Sequence, residues 1–172
     1  MKIIGITGYP GSGKSTFAGI LAAKLCGIGH RVLIDSFAGP VKARVRAEGW
    51  NGRKDASGRR RLEEVGREMR LSGKLSPLRT IARVEQLGAD YAILPDVRLL
   101  DEARCCQHIG LLLAMMGRGS RGKGNDVTVT ELEDVLALPG VVALNNPENG
   151  LGRLQQFARC VIVDHLGGEV GW

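Results

Sequence analysis

One short segment near the start of the chain constrains the fold more than any other. Residues 8–16 read GYPGSGKST and match the pattern G-x-x-x-x-G-K-[ST] in full. An apolar run precedes the segment at 3–6, and apolar residues at helical spacing follow it from Phe17 to Leu25. A buried strand, a glycine-rich turn and a helix are the context in which this pattern binds phosphate. A Gly/Ser-rich surface turn is the alternative interpretation.

The residue types of this loop suit a nucleotide polyphosphate. Backbone N–H groups can approach phosphate oxygens closely only where side chains are absent, which explains Gly8, Gly11 and Gly13. Lys14 supplies an ammonium group for the β- and γ-phosphates, and Ser15 supplies a hydroxyl for Mg²⁺. We therefore expect ATP and Mg²⁺ as cofactors. The residues predicted to bind ATP in this loop are Gly8, Pro10, Gly11, Ser12, Gly13, Lys14, Ser15 and Thr16.

Length and composition favour one domain outside the membrane. The chain has 172 residues, of which 44% are hydrophobic, enough for one well-buried domain. Its apolar runs are far shorter than the roughly 18 residues of a membrane span, and its N-terminus does not have the pattern of a signal peptide. We expect a cytoplasmic protein. The four cysteines form no Cys-x-x-Cys pair, so neither a zinc site nor a disulfide framework is predicted.

Positive charge is concentrated in one part of the chain. The net charge is +6, yet residues 40–84 contain 13 Lys/Arg against 5 Asp/Glu, a local balance of +8. Such a segment indicates an anionic partner, either a phosphorylated small molecule or a nucleic acid. A solvated helix face that keeps the protein soluble is the other interpretation.

Strand and helix patterns alternate along the chain. Strands are predicted at 2–7, 32–34, 91–94, 111–116 and 141–144, and helices from the phosphate loop to 27 and at 39–48, 59–71, 77–87, 101–108, 131–138 and 150–158. A turn is expected at 145–147, and residues 161–163 fit either an edge strand or a helix extension. The alternation predicts a three-layer α/β fold with a parallel sheet, helices on both faces, and ligands at the carboxyl ends of the strands.

Two acidic residues follow predicted strands at that edge. Asp96 comes after the strand at 91–94, where a phosphate-loop protein needs a carboxylate for Mg²⁺, and Arg98 leaves the same strand end toward the phosphate site. An ordinary turn aspartate and a helix-surface arginine are the alternatives. Asp35 follows the second strand and is a candidate general base or second Mg²⁺ ligand, or else a capping or turn residue.

A glycine-rich basic segment at 117–124 is a candidate lid. Phosphoryl transfer needs cations around the transferred group and a closure that still permits product release. Arg118 and Arg121 on glycine hinges meet both needs, and we assign them, with Lys14, Arg98 and Asp35, to the catalytic set. A basic loop without a role is the alternative.

The basic segment also bears on the acceptor of the phosphate. A hydroxyl acceptor must lose a proton to a base, whereas a phosphate acceptor is already ionised and chiefly needs its repulsion with ATP offset. The cluster of cations after the second strand therefore favours a phosphate acceptor.

Several ordered segments give the chain a resemblance to the phage-type deoxynucleoside monophosphate kinases. They are Ile4-Gly5-Ile6-Thr7-Gly8, Phe37-Ala38-Gly39-Pro40-Val41-Lys42, Gly49-Trp50-Asn51-Gly52 with Gly58-Arg59-Arg60, Gly66-Arg67-Glu68, Asp96-Val97-Arg98 and Asn145-Asn146. The resemblance covers nearly the whole chain. Beyond the phosphate loop, the common order and spacing of the segments is specific, and no single segment is.

The resemblance implies a kinase core at 1–36 and 89–172, a monophosphate-binding helical subdomain at about 37–88, and a lid at about 117–127. ATP would donate its γ-phosphate to a deoxynucleoside monophosphate. By resemblance, Asp96 and Arg98 belong to the transfer centre, with Asp96 and Ser15 at the metal, and Asn145 lies at the ATP. At the acceptor, the resemblance implies Lys42, Arg60 and Glu68. The full set that we predict to bind the acceptor is Asp35, Phe37, Lys42, Trp50, Arg60, Arg67, Glu68 and Arg70. The chain departs from the family pattern at Gly39, Arg67 and Thr128, where aspartate, threonine and histidine are usual.

Two other functions compete with this interpretation. Another small phosphate-loop kinase, such as a dephospho-coenzyme A kinase, would phosphorylate a hydroxyl group and depend on Asp35 as the base. A non-catalytic nucleotide-gated protein would use the basic surface on nucleic acid, but the aromatic content of 4% offers few stacking residues. We expect small-molecule nucleotides as partners, with no membrane and no nucleic acid, and leave a homodimer open.

Overall fold

The computed structural model describes residues 1–53, 55–117, 127–146 and 150–167. Its centre is a five-stranded sheet in the order β2-β3-β1-β4-β5, and every neighbouring pair is parallel. The strands are β1 Lys2–Thr7, β2 Val32–Ile34, β3 Tyr91–Leu94, β4 Gly110–Gly117 and β5 Val142–Asn146. All five predicted strands are confirmed, and so is the α/β fold class.

Helices cover both faces of the sheet. They are α1 Lys14–Gly27, α2 Gly39–Ala47, α3 Ala56–Leu71, α4 Pro77–Gln86, α5 Leu100–Ile109, α6 Val127–Leu136 and α7 Leu151–Cys160, which continues as a π-helical turn over Val161–Leu166. One core cluster joins the sheet to α1 and α7, and a second joins its other face to α4, α5 and α6. The predicted three layers are therefore present.

The first strand is buried on both faces, which explains its continuous apolar sequence. Ile4 and Ile6 belong to the core on the α1 side, whereas Ile3 belongs to the core on the α5 side. Gly5 faces α5 at close range, because a Cβ at this position would lie 2.7 Å from the Cys106 sulfur. Tight packing on both sides fixes β1, and with it the position of the phosphate loop that follows.

Helices α2 to α4 form the segment predicted as the monophosphate-binding subdomain. A third core cluster of Val41, Val45, Val65 and Met69 holds α2 against α3. Ion pairs reinforce this contact on the surface, and they join Arg44 to Glu48 and Glu68, and Arg61 to Glu48 and Glu64. Several of the basic residues in this segment thus serve helix packing. Its part in binding a monophosphate stays a prediction.

Some element boundaries differ from the predicted ones. Helix α3 begins three residues earlier than 59, because Asp55 caps it by accepting a hydrogen bond from Gly58 N at 2.8 Å. Helix α6 begins at Val127, four residues before the predicted start. The turn predicted at 145–147 was wrong for its first two residues, since β5 runs through Asn146. Residues 161–163 extend a helix.

None of the helices in the described ranges is long and apolar enough to cross a membrane. Of the predicted lid, residues 118–126 lie outside the described residues.

Two glycines of α3 allow a matched test of this packing. Gly58 is buried, and a Cβ there would collide with the Arg53 carbonyl oxygen and lie 2.8 Å from Trp50 Nε1. A Cβ at Gly66 would meet nothing closer than the flexible end of Arg70 at 3.5 Å. We expect Gly58→Ala to lower the free energy of unfolding in urea by roughly 1–3 kcal/mol. Gly66→Ala should raise it by up to about 1 kcal/mol. Equal effects of the two changes would contradict this packing.

Candidate active site

The phosphate loop has the geometry of an anion site. Gly8, Gly11 and Gly13 all have positive φ angles, of 134°, 79° and 91°. At Gly8 a side chain is excluded in addition by the Met115 carbonyl oxygen of β4. Gly13 is the N-cap of α1 and provides no side-chain cap, and the first turn of α1 contains no acidic residue. The first N–H groups of the helix therefore face a site that favours negative charge.

Lys14 folds back over this loop. Its Nζ donates to the carbonyl oxygens of Gly8 and Tyr9, both at 2.7 Å, and lies 3.4 Å from Ser12 Oγ. The ammonium group is thus held where the β- and γ-phosphates of a nucleotide are predicted to bind. Ser15 and Thr16 are exposed beside it, so the hydroxyl predicted for Mg²⁺ is accessible.

Asp96 joins the end of β3 to the turn between β2 and α2. Its carboxylate accepts hydrogen bonds from Phe37 N at 3.0 Å, from Ala38 N at 3.1 Å and from the Ser36 hydroxyl. Lys42 Nζ in turn donates to Ser36 Oγ at 3.0 Å. Two predicted site residues, Asp96 and Lys42, are therefore connected through Ser36, which the sequence analysis did not single out.

Ser15 and Asp96 carry oxygen atoms, the donor type that Mg²⁺ prefers, although both carboxylate oxygens of Asp96 also accept hydrogen bonds from the turn after β2. The described part of the chain contains no cluster of three or more His, Cys, Asp or Glu that could hold a metal. Mg²⁺ in phosphate-transfer sites is usually held by one or two protein oxygens together with substrate phosphates and water. Ser15 and Asp96 would supply those oxygens, and this assignment stays a prediction.

Asp35 is bound by an arginine that the sequence analysis missed. Its Oδ2 accepts from Arg83 Nε at 3.0 Å and from Arg83 Nη2 at 2.7 Å, while Oδ1 accepts from Ser36 N at 2.7 Å. Arg83 lies on α4, 48 residues away in sequence, so no local pattern connects the two. The pair brings a further guanidinium group to the carboxyl edge of the sheet. The hydrogen bond from Ser36 N corresponds to the turn role, which was predicted for Asp35 as an alternative to a general base or Mg²⁺ ligand.

The residues predicted at the acceptor fall into separate places. Phe37 and Arg70 line one cavity. Trp50 lies instead against the core between α2 and α3 and donates to the Arg53 carbonyl at 2.8 Å. Glu68 pairs with Arg44 at 3.0 Å. The exposed side chains of α3 include Arg60 and Arg67. The structure thus does not bring the eight residues together, and their acceptor role stays a prediction.

The assignments of Asn145 to ATP binding and of Arg118 and Arg121 to the lid stay predictions. Asn145 is exposed, whereas its neighbour Asn146 is buried, accepts from Gly150 N at 3.1 Å and has its Nδ2 without a partner among the described residues. Of the two asparagines, Asn146 is therefore the one with a buried amide N–H₂ group that donates no hydrogen bond within the described residues. Arg98 is exposed at the carboxyl edge. Arg118 and Arg121 lie outside the described residues.

A buried glutamate, Glu102, lines the same cavity as Phe37 and Arg70. Its Oε2 accepts from Arg98 N at 3.0 Å and Leu99 N at 3.2 Å, across the start of α5. Burial raises the pKa of this carboxyl from its ordinary value of 4.5 to about 7, and the nearby Asp96 carboxylate adds to the increase. The sequence analysis did not consider Glu102, although its position in the first turn of a helix, three residues after Leu99, is a capping signal.

The chain is similar to solved structures whose names describe them as kinases. A "putative kinase" from Chloroflexus aurantiacus j-10-fl has 16% identity and a TM-score of 0.54, with 95% of this chain and 97% of that chain covered. A sugar kinase from Janibacter sp. HTCC2649 has 16% identity and a TM-score of 0.47, covering 96% and 95%. The Mycobacterium tuberculosis APS kinase CysC has 17% identity and a TM-score of 0.40, covering 80% and 97%. No family model matches the chain, and no curated protein matches it.

The match to the Chloroflexus structure spans nearly the full length of both chains. At 16% identity the likeness concerns the fold alone. The acceptor has to be inferred from the site itself.

The pKa of Glu102 predicts how stability changes with pH. The pKa of Glu102 is about 7 in the folded protein against an ordinary value of 4.5, so the folded state binds this proton more tightly than the unfolded state does. The resulting stabilisation of the folded state is complete below pH 4.5 and is lost as the pH rises through 7. We expect Glu102→Gln to match the wild type near pH 4.5 and to be more stable by roughly 3 kcal/mol at pH 8. Urea unfolding at several pH values measures this. Glu85→Gln, at an exposed position of α4, is the control, and an equal pH dependence in that variant would contradict the assignment.

Proposed function

We propose that this chain transfers the γ-phosphate of ATP to a deoxynucleoside monophosphate and forms a diphosphate and ADP. The observation that carries the proposal is the arrangement at the carboxyl edge of the sheet. The phosphate loop follows the central strand β1, and the turns that follow β2 and β3 are joined by hydrogen bonds from Phe37 N and Ala38 N to Asp96. The proposed donor site and the proposed cation-bearing acceptor site would then lie at the same edge of the sheet.

Each residue at this edge has a part in such a transfer. Lys14 and the first N–H groups of α1 would bind the β- and γ-phosphates and stabilise negative charge as the phosphoryl group moves. Mg²⁺, held by Ser15 and Asp96, would supply further charge neutralisation. Lys42 and Arg83 would offset the repulsion between two anionic substrates. Catalysis then depends on positioning and electrostatics, as phosphoryl transfer requires.

The contacts of Asp35 support a phosphate acceptor. A general base for a hydroxyl group must have a carboxylate oxygen directed at the substrate, within about 2.6–3.2 Å of the oxygen that loses its proton. In Asp35, Oδ2 already accepts two hydrogen bonds from Arg83 and Oδ1 accepts one from Ser36 N. A monophosphate acceptor does not require proton removal and is consistent with this arrangement. The deoxyribose preference is based on the resemblance of the ordered sequence segments.

A screen of all ribo- and deoxyribonucleoside monophosphates with ATP and Mg²⁺, measured as ADP release, tests the proposal. At least one deoxynucleoside monophosphate should stimulate ADP formation and be converted to its diphosphate. Folded protein that binds ATP but turns over none of them would refute the assignment. Dephospho-coenzyme A is included to detect a hydroxyl acceptor.

Lys14→Ala should lower the turnover number about a hundredfold, because one electrostatic contact to the transferring group is worth about 3 kcal/mol. Lys24→Ala removes the same charge from the last turn of the same helix and should leave turnover unchanged. Steady-state kinetics of both variants measures this. Near-normal turnover in Lys14→Ala would mean that the loop is not the transfer site.

Asp35→Asn should reduce activity by less than about a hundredfold, below the range of roughly a hundred- to ten-thousandfold expected for loss of a general base. Asp90→Asn is the control, since Asp90 pairs with Arg31 at 3.3 Å in an exposed contact before β3. A greater loss in folded Asp35→Asn, together with phosphorylation of dephospho-coenzyme A, would favour the hydroxyl-acceptor kinase.

A further inference from the structure

A small cavity lies beside the Asp96 turn, between three parts of the chain. Phe37 follows β2, four residues come from the stretch between the end of α3 and the start of α4, and three come from the start of α5. Its lining residues are Phe37, Arg70, Leu75, Ser76, Pro77, Leu99, Asp101 and Glu102. Phe37 ties the cavity to the proposed transfer centre, because its backbone N–H donates to Asp96.

The size of the cavity limits what it can hold. Its volume is about 220 Å³, below the roughly 300 Å³ at which sites for whole drug-sized ligands begin. It can therefore take a part of a nucleotide, such as one nucleobase, while the remainder of the molecule extends toward the phosphate loop.

The charges in the cavity favour a base over a phosphate group. Asp101 and Glu102 place two carboxyl groups in the lining against the single guanidinium of Arg70. Its other walls are largely apolar, which suits the faces of a planar ring. A phosphate would be repelled by the carboxylates, whereas N–H groups on the edge of a base would be attracted.

The orientation of Glu102 is fixed by the backbone. Both hydrogen bonds that it accepts from described residues end at Oε2, from Arg98 N and Leu99 N. Its other oxygen, Oε1, retains the capacity to accept a hydrogen bond, and Glu102 lines the cavity. A carboxylate oxygen held in this way can accept from an amino group but repels a carbonyl oxygen.

We propose that Glu102 reads the base of the acceptor nucleotide and selects bases that carry an exocyclic amino group. The inference rests on the proposed function. Cytosine, adenine and guanine each offer an N–H₂ group to the carboxylate. Uracil and thymine offer one ring N–H between two carbonyl oxygens, so their approach to Oε1 brings a repulsive oxygen with it. Glu102 is thus a specificity residue and takes no part in the transfer itself.

Matched pairs of substrates isolate this contact. The first pair is dCMP and dUMP, which differ at the ring edge where an amino group replaces a carbonyl oxygen, and the second is dAMP and dIMP. Their kcat/KM values are measured at pH 8 for the wild type, Glu102→Gln and the control Glu85→Gln. In Glu102→Gln the amide oxygen can keep the two backbone hydrogen bonds, and its NH₂ group then faces the cavity as a donor.

The wild type should prefer the amino member of at least one pair by about tenfold or more, the scale of one hydrogen bond to a charged group. Glu102→Gln should lower that preference by at least tenfold or reverse it. Glu85→Gln should change the preference by less than about threefold, because Glu85 does not line the cavity and is exposed on α4, where water and salt screen its charge. Thermal unfolding confirms that each variant is folded.

Either of two outcomes would overturn the inference about Glu102 and leave the proposed function in place. The first is a Glu102→Gln variant that turns over substrate with an unchanged preference. This includes the case in which both members of a pair lose activity equally, because a purely structural role of Glu102 would give that result. The second is a wild-type preference for dUMP and dIMP. Absence of turnover with every monophosphate would instead refute the proposed function and this inference with it, so the two failures are distinguishable.

Discussion

The carboxylate of Asp96 is the contact on which the rest of the site depends. It follows β3 and accepts hydrogen bonds from the turn after β2, so the ends of two adjacent strands are held in register with the start of α2. This attachment positions Ser36 and Lys42 at the sheet edge and Phe37 in the wall of the cavity. Together with the packing of α4 against the sheet, this contact holds the helical insertion against the core.

The basic residues of this helical insertion have two structural roles, and the composition of the segment does not distinguish them. Arg44 and Arg61 form ion pairs with glutamates between α2 and α3, and such exposed pairs contribute little stability individually. Arg83 and Lys42 point instead to the carboxyl edge, where they contact Asp35 and Ser36. The cavity beside them is lined by two carboxyl groups. Positive charge for phosphates and negative charge for a base therefore lie in neighbouring places, which would orient a nucleotide before any transfer.

The sequence predicted the parts of the molecule that local patterns determine. The central strands β1 and β3 were located because they are buried on both faces and read as short apolar runs, and the phosphate loop was located because its spacing is set by backbone geometry. Arg83 and Glu102 were missed, since their roles arise from contacts that only the fold creates. Arg83 meets Asp35 across 48 residues, and Glu102 becomes unusual only through burial. The β5 boundary was wrong because asparagines, which usually favour turns, here continue a strand that pairs with β4 at Gly117.

The position of Lys14 has a consequence for the strength of nucleotide binding. Its ammonium group already has two short hydrogen bonds to the loop's own carbonyl oxygens, so a phosphate has to displace neutral partners before it gains a charged one. Binding is then an exchange, and its net gain is the difference between the two sets of contacts. If these hydrogen bonds hold the loop in a shape that receives a phosphate, they would also reduce the ordering cost of each binding event. The same pair of hydrogen bonds would then lower the affinity of the proposed site and prepare it for the ligand.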